Sequence, residues 1–313
     1  MQRWRNALFG VGLSLFGVVL TGCGSPAGTP AAGGPSTSGM ITAVGAENEY
    51  GNLISQIGGK AVSVQSIMTN PNVDPHTYEA DTANARFVSA AQLIVQNGIG
   101  YDSFMNHLES ASPVKGRIVV TVANVLGYGP NTPNPHLWYN PSTMPRLAPI
   151  VAADLSKLDP QEHTYFEQNA SHFIQSLQPW TQAVQRVHSE FPGAPVAVTE
   201  PVADYLLQAC GLSIRTPWAF QAAIMNGVDP SPQDVAVEEN LLKQRQVKLF
   251  VYNQQAVDAT TSSLLGIARA NHIPVVGVYE TMPPDYSYQS WMVTETNAFY
   301  NALKNHSSMV TLH

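Results

Sequence analysis

Two histidines stand in loops of the same make. Val73-Asp74-Pro75-His76-Thr77-Tyr78-Glu79 follows the apolar run 61–68 and a polar loop, 69–72. Asn134-Pro135-His136-Leu137-Trp138-Tyr139-Asn140-Pro141 follows a second apolar run by way of a Gly/Pro-rich loop. In each, proline fixes its own φ and pushes the preceding residue towards an extended backbone, so the imidazole is presented by a stiffened loop. A neutral imidazole held this way is a good transition-metal ligand. One loop histidine is weak support, but Pro-His occurs twice, each time after a strand-like run. Two carboxylates follow the same rule of placement: Glu200 comes directly after the run 195–199, and Glu280 directly after 274–279. Carboxyl ends of strands in two facing lobes converge on one cleft, where ligand sites belong. Two imidazoles and two carboxylates suit Mn, Fe or Zn, and their two negative charges offset the cation.

Taken singly, each carboxylate has a plainer explanation. Glu200 before Pro201 fits a helix-entry carboxylate favoured by the helix dipole, and Glu280 could be an exposed loop residue. His107, His163, His172, His188, His272, His306 and His313 fall in helical or terminal positions with no paired spacing, which reads as surface or structural. Tyr78, Trp138 and Tyr139 read as site walls and packing.

The elements that must carry these residues alternate. Strand-like runs at 41–44, 61–68, 93–96 and 117–122 are separated by helical stretches at 49–57, 82–91 and 101–110, which indicates βαβ units and a parallel sheet. A helix is expected over 142–158. Past residue 192 the alternation resumes, with strands at 195–199, 247–252 and 274–279 and an extended stretch at 213–220. Helices are expected there at 201–210, 233–244, 259–270 and 287–304. Between the halves, Phe166, Ala170, Phe173, Leu177, Trp180, Val184, Val187 and Phe191 recur in steps of three and four, one apolar stripe on a long helix. At 1.5 Å per residue it would run roughly 45–50 Å, long enough to join two lobes, with Pro179 bending it. The organisation is therefore an α/β fold of two Rossmann-like lobes, 40–158 and 192–313, each a mostly parallel sheet flanked by helices and joined by the linking helix 159–191.

The start of the chain is of a different kind. Arg3 and Arg5 precede an apolar run, 7–20, that is short and Gly-containing and ends in Leu20-Thr21-Gly22-Cys23. This is a signal peptide over 1–22 rather than a membrane span. Its ending resembles a bacterial lipobox, which implies cleavage before Cys23 and lipid on the Cys23 thiol. Residues 23–39 would then be the lipidated cysteine and a Gly/Ser/Pro/Thr tether. Losing Arg3 and Arg5 with the signal takes the formal charge from −7 to −9. Such a balance offers no basic stripe for nucleic acid. Cys210 is the other cysteine, so no internal disulfide is expected, and its Leu206-Leu207-Gln208-Ala209-Cys210 setting reads as core.

Asp-Pro-His-Thr-Tyr-Glu at 74–79, Asn-Gly-Ile-Gly-Tyr-Asp at 97–102 and Asn-Pro-His-Leu-Trp at 134–138 resemble the metal-specific solute-binding proteins of bacterial zinc/manganese ABC importers. Thr-Glu-Pro at 199–201 and Tyr-Glu-Thr at 279–281 add to the likeness, which spans 41–303 with the motifs in family order. The resemblance implies two lobes on a long helix with one Zn(II) or Mn(II) between them as transported ligand. It also implies a membrane permease as partner and a monomer held on the outer side of the cytoplasmic membrane or in the periplasm. Its first and second ligands fall on His76 and His136. The third, His or Glu in the family, falls on Glu200. The fourth, usually Asp, falls on Glu280, a longer acid, with Asp285 as the nearby substitute. The loop before His136 lacks the histidines of zinc-type members, and position 200 is Glu; both lean towards manganese, while the general affinity order favours zinc. The rivals are an envelope-anchored zinc-dependent hydrolase, and a binding protein for a metal chelate or another small solute. A catalytic zinc keeps three protein ligands and an open position, and no His-Glu-x-x-His is present. A chelate needs aromatic and Arg contacts, for which only Arg86 and Arg215 are even remotely placed.

Overall fold

The computed structural model describes residues 39–312. The signal peptide, Cys23 and the tether up to residue 38 lie outside the described residues, as does His313. The first half carries β1 (Ile41–Glu47), α1 (Asn48–Gly58), β2 (Val62–Met68), α2 (Thr82–Ala90), β3 (Leu93–Gln96), α3 (Phe104–Ala111), β4 (Ile118–Thr121), α4 (Val122–Leu126) and α5 (Thr143–Leu158). Then come α6 (His163–Ser176) and α7 (Gln178–Glu190). The second half carries β5 (Pro195–Val198), α8 (Asp204–Ala209), β6 (Ser213–Ile214), α9 (Trp218–Met225), α10 (Pro232–Lys243), β7 (Leu249–Asn253), α11 (Ala259–Ala270), β8 (Val275–Val278) and α12 (Tyr288–Asn305). Each half forms a four-stranded, all-parallel sheet, ordered β2-β1-β3-β4 and β6-β5-β7-β8. The order reverses beside β1 in one sheet and beside β5 in the other, the switch points where open α/β sheets place their ligands.

Parallel strands are covered on both faces, so they read as apolar runs rather than alternations. β3, β7 and β8 are buried at every position. At the head of the first sheet, β1 turns into α1 through a close approach. A Cβ on Gly45 would come within 2.4 Å of the Gly51 nitrogen, so a larger residue would push strand and helix apart.

Three elements differ from the sequence reading. The rod expected over 159–191 is two helices, α6 and α7, parted at Leu177. Pro179 has no N–H to return to the Gln175 carbonyl, and its ring clashes there. Proline is tolerated in the first turn of a helix, so the chain closes α6 with a tight bond from Leu177 N–H to Ile174 O, 3.2 Å, and begins α7 afresh. The apolar stripe nevertheless stays buried from Phe166 to Val187, and Phe191 is half-buried. Helix α6 packs on α1 and α5 of the first lobe, and α7 on α12 of the second.

The second difference is α4. Val122, Ala123 and Leu126 are buried with helical spacing, and Gly127 ends the turn at φ +79°, a conformation that glycine adopts without strain. His136 therefore stands beyond a helix and a loop, not directly past β4. The third is α9, where an extended stretch was expected. Phe220 and Ile224 bury one face of it in the second lobe's core.

Among the described residues no helix is long and apolar enough to cross a membrane. Cys210 is free and buried, and burial pushes its thiol up to about 12.

Candidate metal centre

Asx-Pro-His is the local device that aims both histidines. Asp74 is extended, and its carboxylate accepts the His76 backbone N–H at 2.9 Å, capping the short turn Pro75–Thr77. Asn134 does the same for His136, accepting its N–H at 3.0 Å. The same Asn134 oxygen lies 2.8 Å from His136 Nδ1, which makes Nδ1 the protonated nitrogen and leaves Nε2 as the free ligand atom. Asn134 also reaches the other lobe: its Nδ2 donates to Pro201 O at 2.8 Å, and Tyr205 Oη donates to its carbonyl at 3.0 Å.

Glu280 is where the two lobes meet. Its Oε2 lies 3.0 Å from His136 Nε2 and 3.3 Å from His76 Nε2, and it accepts from Tyr101 Oη at 3.1 Å. His76, His136 and Glu280 each bring one ligand atom to within 4.8 Å of the others. Glu200 is drawn in one step further out. The Asn253 amide stands between the carboxylates, donating to Glu200 Oε1 and, at 2.8 Å, to Glu280 Oε1. Glu200 Oε2 is buried and has no hydrogen-bond partner among the described residues. His136, Glu200 and Glu280 are almost wholly buried. The His76 side chain keeps 22% of its surface accessible, so it lines the way in. Asp285 sits exposed in a left-handed turn at φ +67° and does not join the group.

Charge is distributed unevenly. Burial opposes a charge on Glu280, yet the neighbouring His136 and His76 outweigh it and hold the carboxyl well below the usual range. Burial likewise opposes a charge on His76, but the bond to Glu280, then the charges of Glu280, Glu200 and Asp74, raise it to about 9. His136 is fully buried, and burial keeps it below its ordinary value despite Glu280. Burial, then the neighbouring Glu280 charge, pushes Glu200 well above the carboxylate range. The arrangement thus favours a His76–Glu280 ion pair, while burial works against a charge on His136 and on Glu200.

Several further residues support the site. Asn253 closes β7, and Tyr101 comes from the Asn-Gly turn after β3. Tyr139 Oη lies 2.7 Å from both Tyr279 O and Glu295 Oε2, joining the residue before Glu280 to the loop after His136. Burial pushes Glu295 up to about 8. Protonated, Glu295 can donate to Tyr139 and leave the phenol hydrogen for Tyr279 O, which satisfies all three groups. Glu47 and Glu49 lie at the β1–α1 junction, wholly buried, and burial raises both well above the usual range. Trp138 and Tyr139 are buried walls, whereas Arg86 and Arg215 are exposed.

Comparison with known proteins agrees with this architecture. The manganese-binding lipoprotein MntA of Bacillus subtilis (strain 168) is 24% identical over 269 residues, covering 82% of this chain and 84% of that protein. The manganese ABC transporter substrate-binding lipoprotein PsaA of Streptococcus pneumoniae is 23% identical over 255 residues, covering 77% and 79%. Among solved structures, the solute-binding protein FpvC from Pseudomonas aeruginosa in complex with Mn2+ superposes with a TM-score of 0.70 at 20% identity. That superposition covers 86% of this chain and 100% of FpvC. The model of the family described as zinc-uptake complex component A, periplasmic, matches residues 44–302. The chain belongs to that family.

Proposed function

We propose that this chain captures one divalent transition metal ion, Mn(II) or Zn(II), outside the cytoplasmic membrane and delivers it to the membrane permease of an ABC importer. The observation that carries the reading is the convergence of His76, His136 and Glu280 from two lobes on one buried point, with Glu200 one amide away. In this reading the ion displaces the His76 proton. Glu200 joins through Oε2, the atom without a partner. Two carboxylates then balance the charge of the cation, and two neutral imidazoles complete the set. Four protein ligands leave no open position for a hydrolytic water, which favours capture over an envelope-anchored zinc hydrolase. Glu200 in place of a third histidine favours the harder Mn(II), and the family's name supports Zn(II). A titration of metal-free protein separates the two. The preferred ion should raise the thermal midpoint, by the equivalent of roughly 4 kcal/mol at a thousandfold excess over Kd. A midpoint unmoved by either ion would sink the reading.

The anchor belongs to the same proposal. Leu20-Thr21-Gly22-Cys23 supports lipid attachment at Cys23, a bilayer-held monomer and the tether 23–39, with lobes at 40–158 and 192–313 on either side of the linker. Cys23→Ala is expected to shift the protein from the membrane fraction to the soluble one while metal binding stays intact. Retention on membranes after a high-salt wash would refute the lipid anchor.

A further inference from the structure

Gln255 lies two residues beyond β7, buried, and is not one of the candidate ligands. Its backbone N–H donates to Asn253 Oδ1 at 2.9 Å, which seats it beside the amide that bridges the carboxylates. Its Oε1 accepts the N–H of Glu280 at 2.7 Å and that of Thr281 at 2.9 Å. Its Nε2 donates to Thr281 Oγ1 at 3.2 Å and, across the lobes, to Val73 O at 2.7 Å. A carboxamide offers two donors and two acceptor lone pairs, and all four are engaged here.

The crossing bond falls on the segment that carries His76. The loop before His76 is otherwise pinned by short-range bonds, from Val73 N–H to Asn70 O and from Asn72 N–H to Asn70 Oδ1. It is not packed tight from beneath. A cavity of about 180 Å³ opens between Ile67, Val73, Pro75 and Tyr78 on one side and Thr281 on the other. With little packing to hold the loop down, one half-buried hydrogen bond has leverage over its position. His76 is also the candidate ligand with an accessible side chain, so the loop that Gln255 holds is the one an ion must pass.

We propose that Gln255 is a latch: a positioning residue that clamps the His76 loop of one lobe onto the Glu280 strand end of the other and thereby sets how fast bound metal escapes. The proposal rests on the metal-capture reading above. Gln255→Glu separates the two halves of the carboxamide, since it keeps both acceptors for Glu280 and Thr281 but has no N–H for Val73 O. Gln255→Met keeps the length and loses both halves, and it carries the test should a buried carboxylate prevent folding.

The experiment is stopped-flow release of Mn(II), or of Zn(II) if that ion binds more tightly, into excess chelator, paired with the association rate of the same ion. Release from Gln255→Glu should be faster by roughly five- to tenfold, the scale of one hydrogen bond, with association within about twofold of wild type. Gln255→Met should release at least as fast. Release within twofold of wild type in both variants would overturn the latch. So would a faster release matched by an equal loss of association, which would mark general damage to the fold. Wild-type protein that binds neither ion would overturn the capture reading itself, a result distinct from a failed latch.

Discussion

Glu280→Gln is expected to lose metal affinity by more than the roughly 10- to 100-fold that partners of a ligand typically cost when removed. The reason lies in its Oε2, which faces His76 Nε2, His136 Nε2 and Tyr101 Oη at once. Glutamine keeps the shape but removes one of the two charges that offset the cation. It also withdraws the group that raises His76, so the imidazole of the variant should titrate closer to its ordinary value. Glu280→Asp should be milder, because the charge remains and only the reach shortens. The control is Asp285→Asn: exposed and outside the cluster, it should bind like wild type. Calorimetric titration of the three variants side by side is sufficient. A large loss confined to the Asp285 variant would move the fourth ligand to the loop.

The second large effect is on pH. In the metal-free site His76 holds its proton up to about 9, because Glu280 and then Glu200 and Asp74 outweigh the burial that opposes its charge. A metal needs the neutral imidazole, so protons compete with it at every pH below that value. The sign is fixed: affinity rises with pH and is lost as pH falls through the raised His76 pKa. A single competing proton costs tenfold per pH unit, so the loss from pH 8 to pH 6 should be about a hundredfold. Glu200, raised by burial and then by Glu280, shifts in the direction that adds to the loss at low pH. An unperturbed imidazole would instead give a curve nearly flat above pH 7. Competition assays at pH 6, 7 and 8, with calorimetry in buffers of different ionisation heat, measure both the slope and the protons released. A flat profile over that range would mean that His76 is not displaced from a charged state.

The sequence displayed the frame of the molecule because β1, β3, β5, β7 and β8 are almost wholly buried and the helices bury one face. β3 at Leu93–Gln96 and α11 at Ala259–Ala270 coincide with their expected runs. What was hidden follows from the same physics. Val122–Leu126 and Trp218–Met225 are short and apolar, so no period separates a helix from a strand end, and only the left-handed Gly127 marks α4 as a helix. Leu177 looked like one more step in an unbroken stripe, because burial continues straight through the break that Pro179 imposes.

The site was legible where it is ionisable and dark where it is neutral. His76, Glu200 and Glu280 could be found by asking which charged or ligating residue follows a strand, and His136 by the Pro-His loop it shares with His76. Asn253 obeys the same rule at the end of β7, but an amide carries no charge to draw attention. Glu47 ends β1, a strand that continues three residues past the expected 41–44. Asn134 left a visible trace, since Asp74-Pro75-His76 and Asn134-Pro135-His136 repeat one Asx-Pro-His device whose first residue fixes the third. Gln255 left none, for its partners Glu280, Thr281 and Val73 are far from it in the chain, and the last meets it only once both lobes are in place.

The most direct measurement is a crystal structure of the metal-loaded protein with anomalous scattering recorded at the manganese and zinc edges. One ion is expected between the lobes, about 2.0–2.2 Å from the Nε2 atoms of His76 and His136 and from carboxylate oxygens of Glu200 and Glu280. An ion bound by residues of a single lobe, or seated away from Glu280, would contradict the assignment.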